Sequence, residues 1–135
     1  MINKSTEDQK TIDAILKKEC GASFSFLEKL KYGIYGSPRY QINIDKTILK
    51  ELTFGQHTNL IYATLEIRKK GICLYFRFKN DEYIDYCRHN QISFLSNDNK
   101  FEIQLANNSY SLKILLAKSH KSFLKKLYMA RNMQF

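Results

Sequence analysis

Asp85, Cys87 and His89 stand close together, and their side chains could do chemistry. A thiol near an imidazole and a carboxylate is the inventory of an activated cysteine nucleophile. That activation requires nucleophile and base to meet in space, and neighbours along an extended segment do not reliably do so. The simpler reading is a surface bend with ordinary polar residues. Cys87 and His89 could also join Cys73 or His57 around zinc, but structural zinc sites show two paired-ligand knuckles and only one weak pair is present. The five glycines are scattered, so no glycine-rich phosphate loop is formed. The residues therefore point to no catalytic group, no metal and no cofactor, and the expected class is not an enzyme.

Charge is the stronger signal. The chain has 135 residues and a net charge of +9. No Asp or Glu follows Glu102, whereas Lys113, Lys118, Lys121, Lys125, Lys126 and Arg131 do. Two groups are candidates for binding anions. One is Lys118, Lys121, Lys125 and Lys126 near the C-terminus, and the other is the run Arg68-Lys69-Lys70. A basic surface attracts phosphates and acidic proteins, so the expected partner is an acidic protein or an anionic lipid surface. A biased base composition also yields a chain rich in Lys, Asn, Ile and Tyr, and charged turns such as 68–70 are often merely solvated. Nucleic acid is less favoured, because only Met129 accompanies these lysines and bases stack on aromatic rings.

The elements that must position these residues follow from hydrophobic period. Ser5 and Thr6 can cap a helix over 6–19, with Ile12, Ile15 and Leu16 on one face. Ser25 and Glu28 resemble a capping box for a short helix, Phe26 to Tyr32, that Gly33 ends. From Arg39 the period becomes two. Strands are expected at 39–44 and 47–54, then at 61–67 and 72–78 as a hairpin around Lys69-Lys70-Gly71. Two short strand-like pieces follow within 82–95, separated by Arg88-His89-Asn90, and strands at 100–105 and 110–116 flank an Asn107-Asn108 turn. Ser119 then opens a terminal helix to about Asn132. Phe123, Leu124, Leu127 and Ala130 form its apolar arc, and His120 lies near that arc. Tyr62, Tyr75 and Arg77 share the outer face of the hairpin. The apolar residues of both N-terminal helices, Leu27 and Leu30 included, need a surface and are expected to cover that face. No apolar run approaches the ~18 residues that span a bilayer. The polar N-terminus does not read as a signal peptide, and three widely spaced Cys read as reduced thiols, so a cytoplasmic location is expected.

Residues 39–135 resemble a bacterial pleckstrin-homology-like domain, in the pattern of seven antiparallel strands followed by a C-terminal helix. The resemblance runs through Tyr83-Ile84-Asp85-Tyr86, Gln91-Ile92, Phe101-Glu102-Ile103-Gln104-Leu105, Tyr110-Ser111-Leu112-Lys113-Ile114 and Phe123-Leu124-Lys125-Lys126-Leu127. It implies an α+β, mostly antiparallel fold: a partly open barrel of about seven strands capped by the C-terminal helix, with residues 1–38 as a helical extension. It also implies a non-catalytic module that binds lipid headgroups, peptides or other domains. The headgroup pattern of phosphoinositide-binding members is not carried over. Arg77 would match its final Arg, but Tyr75 stands where the preceding base belongs. The alternatives are a helix-grip fold holding a small ligand and a weak nucleic-acid binder.

Overall fold

The computed structural model describes residues 1–34, 36–43, 47, 60–78 and 80–132. His57, Ile44 and, apart from Thr47, the expected strand at 47–54 lie outside the described residues.

Strands β3 (Tyr62–Ile67) and β4 (Gly71–Phe78) pair with Ala63 opposite Phe76, Leu65 opposite Leu74 and Ile67 opposite Ile72. All six side chains are buried on one face, as alternation requires. Strand β5 (Asp81–Arg88) continues the ladder and ends in a single 3-10 turn, His89–Gln91. A Cβ on Gly71 would run into the carbonyl oxygen of Cys87, so glycine permits this close approach of β4 to β5. Strands β6 (Ile92–Ser96), β7 (Lys100–Leu105) and β8 (Asn108–Ile114) form the second half. Their last turn falls at Ala106-Asn107, one residue earlier than expected, with Ala106 at φ 54°. The register that points Ile103 and Tyr110 inward together fixes this position.

The halves meet at the short strand β2 (Tyr40–Ile42), which pairs with both β3 and β8. A further strand, β1 (Ile2–Asn3), adds to the free edge of β5. Two residues carry no period, so the sequence does not reveal it. The result is eight antiparallel strands in one open sheet, ordered β1-β5-β4-β3-β2-β8-β7-β6.

Three helices complete the described chain. Helix α1 (Gln9–Cys20) starts later than expected, because the Asp8 carboxylate caps it by accepting from the Thr11 N–H at 2.7 Å. Its Ile12, Leu16 and Cys20 pack with Ile2, Cys73 and Ile84 on the outer face of the sheet. Helix α2 (Phe26–Tyr32) has the expected capping box. Leu27 and Leu30, however, do not cover the sheet: they are 76% and 56% exposed, and Phe26 is 75% exposed. The flanking Phe24 and Ile34 enter the core instead, with Tyr32 at the end of the helix packed against it.

Helix α3 (Ala117–Asn132) lies over the inner face. His120, Phe123, Leu127 and Ala130 recur at helical spacing and are all buried. Truncating a buried leucine costs about 2–5 kcal/mol. Leu127→Ala should therefore lower the melting temperature by several degrees and Lys125→Ala should not. Thermal unfolding of the two variants measures this, and equal small effects would mean that the arc is not packed.

Candidate anion-binding site

The stripe that turns Leu127 inward turns the lysines of α3 outward. Lys118, Lys121 and Lys125 are exposed, and Lys126 is half-buried. They share one helix but sit in two settings. Lys118 and Lys126 line a groove of about 460 Å³ between α3 and Gly33, Gly36, Ser37 and Pro38, whereas Lys121 and Lys125 are not among its walls. A Cβ placed on Gly33 would lie 3.0 Å from Lys126 Nζ, so the ammonium rests directly over that glycine. None of the four lysines forms an ion pair among the described residues.

The other basic candidates are employed differently. Arg68 donates from Nε to the Gly21 carbonyl at 2.8 Å and from Nη1 to Glu66 Oε1 at 3.2 Å. Glu66 also accepts from Tyr75 Oη at 2.6 Å and Ser23 Oγ at 3.0 Å. Lys69 pairs with Glu28 at 3.0 Å. The backbone N–H groups of Lys69 and Lys70 donate to Ala22 and Cys20. The hairpin tip thus holds the α1–α2 connection, and only the Lys70 side chain there is exposed without an ion pair among the described residues. Gly21 (φ +77°) meets this tip, with the Lys70 backbone too close for a side chain.

A second hollow, about 240 Å³, lies on the outer sheet face. Arg39 stacks over the Tyr62 ring at 4.3 Å, while Arg77 and Lys4 both pair with Glu82 at 2.9 and 3.1 Å. Its cations are thus largely answered from within.

Asp85, Cys87 and His89 do not assemble. Asp85 is buried, and its carboxylate accepts from Tyr110 Oη at 2.6 Å, Asn108 Nδ2 at 2.9 Å and the Tyr86 N–H at 2.9 Å. Burial pushes the Cys87 thiol up to about 12, so it stays protonated. His89 pairs with the Arg68 carbonyl at 3.1 Å, away from either.

The polar constellation that sequence reasoning misses centres on His120. Its Nδ1 lies 2.7 Å from Tyr40 Oη and its Nε2 2.7 Å from Ser96 Oγ. A Ser–His pair at this distance has the geometry of a nucleophile and base. The proton inventory opposes that role. Tyr40 is fully buried, and its hydroxyl has His120 Nδ1 as its acceptor among the described residues. Tyr40 therefore donates to Nδ1, which places the imidazole proton on Nε2, where it is donated to Ser96. Nε2 then has no lone pair with which to take a proton from Ser96.

No protein-family model matches the chain, and neither the curated proteins nor the solved structures give a match.

Burial holds the His120 pKa below its ordinary 6.5. The unfolded chain thus takes up a proton near 6.5 that the folded chain resists. The stabilisation is fully present above that pH and is lost as pH falls below it. Burial lowers the His89 pKa as well, giving a second contribution of the same sign. The urea midpoint should fall from about pH 7.5 to about pH 5.5, and by less in His120→Gln, where only the His89 part remains. Equal slopes in the two proteins would place the acid sensitivity elsewhere.

Proposed function

We propose that this chain is a non-catalytic binding module of pleckstrin-homology-like build, acting in the cytoplasm, whose lysine face on α3 meets an anionic lipid surface. One observation carries the reading: Lys118, Lys121, Lys125 and Lys126 project from one helix without an ion-pair partner among the described residues. The family likeness is supported by seven successive antiparallel strands, β2 to β8, followed by a helix laid over the core. The non-catalytic reading is supported by the commitment of His120 Nε2 to donation and by the protonated Cys87 thiol. No helix among the described residues is long and apolar enough to cross a membrane. Contact with lipid would therefore be made from the surface through charge.

Each lysine close to an anionic bilayer contributes about 1 kcal/mol, screened over a Debye length of about 8 Å at physiological salt. Four such residues give weak, salt-sensitive association. The protein should sediment with phosphatidylserine vesicles at low salt and be released at high salt. Reversing Lys121 and Lys125 to Glu cancels the charge of the face and should abolish binding with no loss of melting temperature. Indifference of the wild type to these vesicles at low salt would overturn the lipid partner and leave an acidic protein as the better candidate.

A further inference from the structure

We infer that the hollow on the outer sheet face holds one nucleobase and the phosphate beside it, the unit that single-stranded nucleic acid and free nucleotides share. The base stacks on the Arg39–Tyr62 pair, and the phosphate meets Arg77. This site is separate from the lysines of α3 and goes beyond the lipid reading.

The sheet shapes the hollow. Tyr62 and Thr64 on β3 and Tyr75 and Arg77 on β4 alternate outward, and the register sets Thr64 opposite Tyr75. Thr64 is the shortest of these four side chains and is exposed, so the surface dips between its larger neighbours. Helix α1 packs on Cys73 and Ile84 of the same face, but none of its residues lines the hollow. Leu27 and Leu30, expected to cover this face, are exposed instead. The volume, about 240 Å³, is below the roughly 300–1,000 Å³ of pockets that enclose whole small ligands. It admits one planar ring, with the rest of the ligand lying across the sheet.

The lining selects that ring. The Arg39 guanidinium lies 4.3 Å from the Tyr62 ring centroid, and Arg39 is exposed. Bases stack on tyrosine rings and on guanidinium planes, and here the two are already in contact. The Tyr75 ring beside them is held by its hydroxyl, which donates to Glu66 at 2.6 Å.

Charge then favours an anion. Lys4, Arg39 and Arg77 line the hollow against one carboxylate, Glu82. Glu82 is shared between Lys4 and Arg77, and no carboxylate pairs with Arg39 among the described residues. The Arg77 side chain is 66% exposed and gives Nη2 to Glu82, which leaves other guanidinium donors for a phosphate. A sugar phosphate alone would answer the charge and leave the stack unused. A neutral aromatic would do the reverse. A nucleotide unit uses both.

Calorimetric titration at low salt tests this, with AMP and tetra-adenylate against ribose 5-phosphate, which keeps the phosphate and lacks the base. AMP should bind about tenfold or more tightly than ribose 5-phosphate, the effect of one stacked base. Tyr62→Leu and Arg39→Gln should each weaken AMP about tenfold, Tyr62→Phe should retain it, and Lys121→Gln should leave it unchanged. Unaltered melting temperatures exclude misfolding, and the exposed Arg39→Gln tests the site even where Tyr62→Leu unfolds. A further gain of about tenfold or more from AMP to tetra-adenylate assigns the strand, and a smaller gain assigns the free nucleotide. AMP binding no tighter than ribose 5-phosphate, or an equal loss in Lys121→Gln, would overturn the site. Tyr62→Leu should sediment with phosphatidylserine vesicles as the wild type does, so the lipid reading stands or falls separately.

Discussion

The hydrogen-bonded chain Tyr40–His120–Ser96 sets the geometry on which the rest depends. Tyr40 lies on the short strand where the halves of the sheet meet, opposite Ala63 on one side and Ile114 on the other. His120 is in the first turns of α3, and Ser96 ends the edge strand β6. One imidazole therefore references the helix to the middle and the edge of the sheet, with both links at 2.7 Å. Breaking the Tyr40 link would strand a buried hydroxyl, at a cost of about 1–3 kcal/mol. Because a helix is rigid about its axis, directing His120, Phe123, Leu127 and Ala130 inward also decides where every lysine points. The groove that Lys118 and Lys126 share with Gly33, Gly36, Ser37 and Pro38 is a consequence of that rotation.

Charge follows the same division. The five ion pairs among the described residues are Lys4–Glu82, Arg68–Glu66, Lys69–Glu28, Arg77–Glu82 and Arg88–Glu19, all on elements that precede β6. Apart from the partly buried Arg68–Glu66 pair, such surface pairs contribute at most about 1 kcal/mol, so they matter less for stability than for where they leave charge unanswered. Acidic residues pair with five of the bases that precede β6, whereas among the described residues no ion pair forms on α3. The asymmetry in the sequence thus survives folding as an asymmetry of surface.

Strands 62–67 and 71–78 were legible because one buried face enforces strict alternation, and α2 because its cap is written in Ser25 and Glu28. Helix α3 was legible from its stripe. What escaped is what depends on contacts across the fold. Strand β1 exists because β5 offers an edge, which two residues cannot announce. Leu27 and Leu30 are apolar at helical spacing, yet Phe24 and Ile34 fill the core first. Arg68-Lys69-Lys70 reads as a cation cluster, but its acceptors Gly21, Ala22, Cys20, Glu66 and Glu28 lie far away in the chain or inside its own hairpin. The basic helix was visible as composition. Its division into a groove pair and an outer pair required the position of Gly33, Gly36, Ser37 and Pro38.

The buried polar groups are bonded to one another, which leaves α3 rather than the core with groups free to bind. Buried polar atoms must find partners, and here most do. The Asp85 carboxylate accepts three hydrogen bonds, and both His120 nitrogens are engaged. Cys20 contacts the carbonyls of Ile72 and Cys87. Among the described residues, His89 Nδ1 and Ser111 Oγ are the buried side-chain atoms left without a partner, and neither has surface that a ligand could reach. Groups already bonded inside must break those bonds before they can bind or react, at the cost of a buried unsatisfied partner. Lys118, Ser119, Ser122 and Lys126 carry no such debt among the described residues. They are polar, accessible and uncommitted, so an incoming anion meets them with only water to displace.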